Sequence, residues 1–441
     1  MEIYVMFQRH SIIAFALFAS VTSITSAADL TGYWEGQVQK GSATSPIAIE
    51  FSGTNRELTG TLSLAAPGLF DLPIDSVTAK RKQVRFTHKS WGVDCTFDGK
   101  LDDDLLSGVL KMNGEQFQMA FSRSNHERPY SEEEVVYYNG DVKIAATLFV
   151  PDAAGRHPAL VMLHGSGNSE RFRYRFLADF YARLGIACLF GDKRGCGDSG
   201  GDWQEVGFEP LAWDGIKGVE LLKQRDDIDP ERIGMTGISQ AGWIMSLAAS
   251  LSDDVKFLVV NSGANVTVEE EGHFDYIVAL RDKGYGEDVL QKARAILVQD
   301  NVVTRTSEGS EKLHAMLAQS KDEPWREDFD FFAMPAKMRA DGFYKKIIDF
   351  DPVPYMEQND IPILWNYGSE DKSVNPEDSI EILERIDNEN DKDYTIHLYS
   401  GADHGIYVAP DPETDALPMR VYAPGYLDDV ATWLRERVLR D

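Results

Sequence analysis

Ser239 stands at the junction of two dissimilar runs. Arg232-Ile-Gly-Met-Thr236 reads as a short apolar strand and Trp243-Ile-Met-Ser-Leu-Ala-Ala as a helix, with only Gly237-Ile238-Ser239-Gln240-Ala241-Gly242 between them. A chain that passes from strand to helix over so short a segment must turn sharply at the serine, in a backbone conformation that side chains resist. The small residues two places to either side, Gly237 and Ala241, keep bulk from forcing strand and helix apart. The hydroxyl is then exposed at the carboxyl edge of the sheet that the strand joins. It lies beside the first N–H groups of the helix, which have no partner within it and can stabilise a negative oxygen.

The surrounding text is consistent with such a turn. Residues 135–150 form a hairpin around Asn139-Gly140. After it, strand-like runs at 159–163, 187–190, 232–236 and 255–261 alternate with helix-like runs at 172–184, 211–224 and 241–250. This alternation implies right-handed crossovers and a doubly wound, mainly parallel sheet with helices on both faces, an α/β fold. Two further strands end in chemistry-bearing loops. The run 361–368 leads into Ser369-Glu370-Asp371, and 394–399 leads into Gly401-Ala402-Asp403-His404-Gly405.

Ser, then Asp, then His at successive strand ends is the triad order of the α/β-hydrolase superfamily, which this chain resembles. Four stretches carry the resemblance. Gly237–Gly242 is similar to G-x-S-x-G, with Ala241 in place of the second glycine and Gly242 one place later. Gly368-Ser-Glu-Asp371-Lys-Ser-Val374-Asn-Pro376 is similar to the acid loop, and Gly401–Gly405 to the histidine loop. Upstream, Pro158–Leu163 with His164-Gly165-Ser166-Gly167 resembles the oxyanion strand and loop, and Asp192-Lys-Arg-Gly195-Cys-Gly197-Asp-Ser199 the D-x-R-G-x-G-x-S loop. Residues 135 to 441 together resemble exported bacterial esterases whose catalytic domain is similar to those of prolyl oligopeptidases and dienelactone hydrolases.

The resemblance implies a serine hydrolase acting on carboxylic esters through an acyl-serine intermediate. Ser239 would be the nucleophile and His404 its base, with Asp371 holding the imidazole tautomer. The backbone N–H groups of Ser166 and Gln240 would form the oxyanion hole. Glu370 and Asp403 compete with Asp371, but Glu370 is one residue off the family position and Asp403 adjoins the ring it would have to face. His164 is read as shaping its loop. Serine peptidases related to prolyl oligopeptidase share the triad order and are the enzymatic alternative. They usually carry an aromatic beside the nucleophile and a large propeller, where this chain has Ile238 and about 90 residues of β-rich sequence. A binding module with a dead hydrolase site is the alternative of another class, and nothing in binding alone would require all three triad residues.

Before this region, residues 29–125 are all strand and turn. Alternating segments at 32–38, 47–51, 57–64, 84–88 and 117–121 are separated by turn residues at 53–55, 102–104 and 113–114. They predict a small antiparallel barrel or sandwich. Its Gly32-Tyr-Trp34-Glu-Gly36 opening resembles lipocalin-like barrels. Residues 122–134 read as a polar linker, and the catalytic region as 126–441. At about 264–350 strand runs give way to helical patterns near 272–282, 289–298 and 311–318. Trp325, Phe329, Phe331, Phe332, Phe343 and Tyr344 lie in the same stretch, which predicts a helical cap inserted before the sheet resumes. The 426–438 segment closes the chain as a helix.

The remaining features bound the function. Arg9-His10, the apolar run from Ser11 and the small residues Ser26-Ala27-Ala28 read as a cleavable signal peptide over 1–28, giving a periplasmic or secreted protein without a membrane span. The 72 acidic against 44 basic residues, a net charge of -28, would repel nucleic acid and anionic membranes. Gly195–Gly200 spells G-x-G-x-x-G, but a loop follows where a dinucleotide site needs a helix. With no H-E-x-x-H, paired C-x-x-C or phosphate-loop sequence, no cofactor or metal is expected. Cys95, Cys188 and Cys196 do not form a disulfide framework, and Cys188 lies in an apolar strand. The expected partner is a small-molecule ester.

Overall fold

The computed structural model describes residues 29–440 apart from 42, 55–56, 67, 91, 126, 334–341 and 411–419. The signal peptide read at 1–28 lies outside the described residues, as do the side chains of Phe329, Phe331 and Phe332.

The first module is one antiparallel sheet of nine strands. Their order is Leu69–Pro73, Glu57–Leu64, Ala43–Thr54, Gly32–Lys40, Glu115–Ser124, Leu105–Met112, Val93–Asp102, Gln83–Ser90 and Ser76–Lys80. The two edge strands are joined only by Ile74 and Asp75. Ile74 N donates to Gly60 O and Asp75 N to Thr87 O, both at 2.9 Å, which stitches the edges together at one end. A sheet whose edges meet must curl, and this one forms a barrel-like half-closed cylinder. Alternate side chains then point inward. Trp34, Phe51, Phe86, Phe97 and Phe121 are buried there. Phe86 stacks on Phe97 at 5.1 Å and Phe121 meets Phe97 edge-on at 5.6 Å. The interior is filled by aromatic rings, each worth about 2–3 kcal/mol when buried.

The expected linker at 122–134 is largely strand. Residues 122–124 complete Glu115–Ser124, and Tyr130–Asn139 begins the second sheet, so that only 125–129 connects the two. The polar spelling misleads because Tyr130–Asn139 is an edge strand with one face toward water, where Glu132, Glu133 and Glu134 can sit. Asp71 fastens the modules. Its carboxylate accepts from Arg128 at 2.9 Å and from Arg175 at 2.9 Å, and Arg175 also grips Glu132 at 2.7 Å.

The second sheet has eight strands, ordered Tyr130–Asn139, Val142–Pro151, Ala187–Gly191, His157–Leu163, Ile228–Ile238, Leu258–Asn261, Ile363–Gly368 and Tyr394–Tyr399. The hairpin pairs antiparallel and all strands from Ala187–Gly191 onward pair parallel. The central strands are buried along their length, as a sheet covered on both faces requires. Helices Phe208–Lys223, Ala241–Leu251 and Pro376–Asn390 cover one face, and Arg175–Arg183 and Tyr426–Arg437 the other. Between Leu258–Asn261 and Ile363–Gly368 the described residues form helices Val268–Asp282, Glu287–Thr306 and Ser310–Gln319 and shorter segments, with a core of their own around Leu290, Ile296, Leu313 and Trp325. Trp325 belongs to that cap core. Phe343 and Tyr344 pack instead against the core of the sheet.

Candidate active site

Ser239 has φ +61°, a left-handed conformation that a residue with a side chain rarely adopts. The surroundings enforce it. Ser239 N donates to Asn261 O at 2.9 Å, and Gly242 N returns to Ser239 O at 2.8 Å as the helix Ala241–Leu251 begins. A Cβ on Gly237 would lie 2.5 Å from the Ala241 Cβ and 2.9 Å from Leu163 O. Beneath the turn, Asn261 Nδ2 donates to Gly237 O at 3.3 Å, and Asn261 Oδ1 accepts from Asn366 at 3.1 Å and from the Tyr426 hydroxyl at 2.9 Å. This buried amide network was not legible in the sequence, because asparagine at a strand end is an ordinary loop residue.

The acid and histidine loops meet at the ends of the last two strands. Gly368 permits it: a Cβ there would lie 2.3 Å from Ala402 O and 2.4 Å from Asp403 O. Asp371 Oδ2 accepts from His404 Nδ1 at 2.8 Å, while its Oδ1 accepts from the Ser373 and Val374 N–H groups, each at 2.9 Å. A carboxylate can only accept, so Nδ1 carries the proton and Nε2 keeps a lone pair for a proton coming from elsewhere. The Asp371 side chain is fully buried and that of His404 is 29% exposed. Burial disfavours the imidazolium, but the Asp371 hydrogen bond and charge, with Glu271 and Asp403, outweigh it and raise the His404 pKa above its ordinary value. The competing carboxylates are placed elsewhere. Glu370 is exposed. Asp403 accepts from Gly405 N and Tyr407 N and pairs with Arg420 at 2.8 Å.

Ser239 and His404 line one pocket of about 370 Å³, together with Gly165, Ser166, Tyr174, Leu177, Tyr407, Tyr422 and Tyr426. A Cβ built on Gly165 would lie 3.5 Å from that of Ser239, so the 164–167 loop borders the serine directly. Among the described residues, the N–H groups of Ser166 and Gln240 donate to no backbone oxygen. His164 is buried with its ring 4.9 Å from that of Tyr174, and burial lowers its pKa to about 3. It is a neutral residue packed into the base of the loop.

Two neighbours of the site carry no strong signal in the sequence. Lys193 Nζ donates to Gly165 O at 2.8 Å, Gly167 O at 3.1 Å and Gln240 Oε1 at 3.2 Å, with Trp203 under it at 4.4 Å. It ties the 164–167 loop to the turn after Ser239, and burial pulls its pKa down to about 8. Its position straight after the strand Ala187–Gly191 was the available signal. Arg194, beside it, makes a buried two-bond pair with Asp214 at 2.6 and 2.9 Å. The second neighbour is Glu271, on the cap helix Val268–Asp282. Burial, with help from Asp275 and Asp371, pushes its carboxyl up to about 7.

Residues 139–404, more than half of the chain, match the X-Pro dipeptidyl-peptidase (S15) family. The chain belongs to that family. This S15 chain is 34% identical to thiohydrolase aneE of Aspergillus aculeatus over 31% of its own length and 43% of the relative's. It is 31% identical to the quorum-quenching protein AidA of Acinetobacter baumannii over 28% of its length and 41% of that protein's. Both matches span less than half of the relative. Among solved structures, the Pyrococcus furiosus esterase PF2001 is 17% identical, covering 71% of this chain and 96% of its own at a TM-score of 0.45. The DcsB complex with its substrate analogue is 18% identical, covering 70% and 100% at 0.46. The S15-family chain combines a mixed, mainly parallel α/β sheet with a helical cap and an N-terminal barrel-like module.

Proposed function

We propose that this S15-family protein is an exported serine hydrolase that cleaves small carboxylic esters through an acyl-serine intermediate. One observation carries the reading: the Asp371–His404 hydrogen bond of 2.8 Å, with the strained Ser239 lining the same pocket as His404. In the proposed cycle, Ser239 Oγ attacks the acyl carbon as His404 Nε2 takes its proton. The Ser166 and Gln240 N–H groups receive the oxyanion, and the imidazolium, stabilised by Asp371, protonates the departing alcohol. Water then repeats the sequence on the acyl-enzyme, releasing the acid and restoring the serine.

Ile238, not an aromatic, precedes the nucleophile, and relatives named as a thiohydrolase and an acyltransferase favour activated acyl bonds over peptide bonds. The family description favours a second reading, cleavage of a dipeptide from a peptide's amino end. Turnover of p-nitrophenyl esters against that of dipeptidyl-prolyl and aminoacyl naphthylamides separates the two. The ester reading predicts efficient ester cleavage; efficient amide cleavage with negligible ester turnover would replace it with the peptidase. Export is tested by the amino-terminal sequence of the mature protein, expected near Ala28.

A further inference from the structure

We infer that the N-terminal barrel braces the substrate-pocket wall from behind: its Gly68 backbone helps hold Tyr422 in place, and so helps set which acyl groups reach Ser239. The inference rests on the serine-hydrolase reading above and extends it to a module that contributes no triad residue.

Tyr422 lines the pocket that holds Ser239 and His404. It belongs to the short hairpin of Tyr407–Val408 and Val421–Tyr422, which follows the histidine loop directly. Its ring stacks on Tyr407, a second pocket residue, with centroids 4.3 Å apart. It also stacks on Phe176 of the helix Arg175–Arg183 at 5.6 Å. A two-stranded ribbon of two residues a side has a short ladder, tied to the histidine loop by Asp403 N to Tyr407 O and Ala423 N to Ile406 O, both at 2.8 Å, so its rings also depend on what packs against them.

Besides Tyr407, Phe176 and Tyr426, the barrel adds to that packing. Gly68 N donates to Ala65 O at 2.9 Å, closing a turn in which Gly68 has φ +78°. A Cβ on Gly68 would lie 2.7 Å from Tyr422 Cε2 and 3.2 Å from Phe176 Cδ1. The barrel backbone therefore seats directly against the two rings, at a distance only glycine allows. Arg128 and Arg175, both bound to Asp71 three residues further on, fix the same edge of the barrel to the hydrolase. The wall so supported, with Met162, Tyr174, Leu177 and Tyr426, is largely aromatic and aliphatic. This wall fits an alkyl or aromatic acyl group, with Asn168, Ser169, Arg173 and Thr236 lining other parts of the pocket.

The test uses the full chain and two fluorophosphonates, one with a short ethyl arm and one with an octyl arm. The readout is the ratio of their labelling rate constants. Gly68→Ala drives a methyl group into the Tyr422 ring, and Phe176→Ala removes the ring behind it. The inference predicts that at least one variant changes the octyl-to-ethyl ratio threefold or more relative to the parent. A purely structural role of the contact would slow both probes alike. A ratio within threefold of the parent in both variants would overturn the inference. Because Gly68→Ala also strains the turn, Phe176→Ala alone decides if that chain does not fold. Failure of the parent chain to label with either probe would count against the hydrolase reading itself and is seen separately.

Discussion

The Ala241 methyl group stands 2.5 Å from the point that a Cβ on Gly237 would occupy. The positions flanking the serine turn therefore cannot both carry side chains, which explains why Ala241 is tolerated where the family motif has glycine: Gly237 makes room for it. Gly237→Ala should destabilise the protein by about 1–3 kcal/mol through overpacking and reduce serine labelling. Ala241→Gly should cost under about 1 kcal/mol and leave labelling in place. Denaturant midpoints of the two variants check the asymmetry.

The φ of +61° at Ser239 stores strain for the sake of placing a hydroxyl. Ser239→Gly should abolish turnover while stabilising the fold by about 1 kcal/mol, because glycine adopts this conformation without a Cβ clash. Ser239→Ala should abolish turnover without that gain. Equal thermal midpoints for the two variants would show that the backbone is not strained.

His404 must be neutral to act as a base, and its environment favours the charged form. Activity should therefore rise with pH through an apparent pKa above the ordinary histidine value of about 6.5. Asp371→Asn removes the counter-charge and leaves burial dominant. The rising limb should then move to lower pH, while kcat falls by about 10³–10⁴-fold as the tautomer is lost. Glu271→Gln should move the limb down by less, since Glu271, itself titrating near 7, adds only a charge interaction. The pH profiles of kcat/KM of the two variants give both shifts.

Lys193 uses three donors on three oxygens of the 164–167 loop and Gln240. A neutral amine has two. With its pKa drawn down to about 8, the parent should lose activity on the alkaline side as one tie is released. Lys193→Met should lower kcat/KM by about tenfold, less than loss of an oxyanion donor outright, and should remove the alkaline limb. A Lys193→Met profile that keeps that limb would assign it to another group.

Much of this architecture is readable from residues alone, for a physical reason. Buried parallel strands are written as apolar runs, unbroken in 159–163 and interrupted in 363–368 only at Asn366, and each functional loop begins where one stops. Glycines 237, 242 and 368 mark backbone approaches that no other residue permits. The barrel is less legible. Leu69–Pro73 and Ser76–Lys80 are five residues each, too short for alternation to stand out, and Val93–Asp102 carries Asp94, Asp98 and Lys100 on its solvent face. Residues 130–134 of Tyr130–Asn139 read as linker because an edge strand tolerates charge. Contacts between distant segments, such as Lys193 with Gln240 or Gly68 with Tyr422, leave no local pattern, since each member is ordinary in its own stretch.

The proposed pairing of Ser239 as nucleophile with His404 as the base that activates it is tested by mass-spectrometric mapping of the residue modified when the protein reacts with a fluorophosphonate, in the parent and in Ser239→Ala and His404→Ala. A single adduct on Ser239 is expected in the parent, none in Ser239→Ala, and labelling slowed by at least a hundredfold in His404→Ala. An adduct on another residue, or labelling that persists in Ser239→Ala, would contradict that pairing.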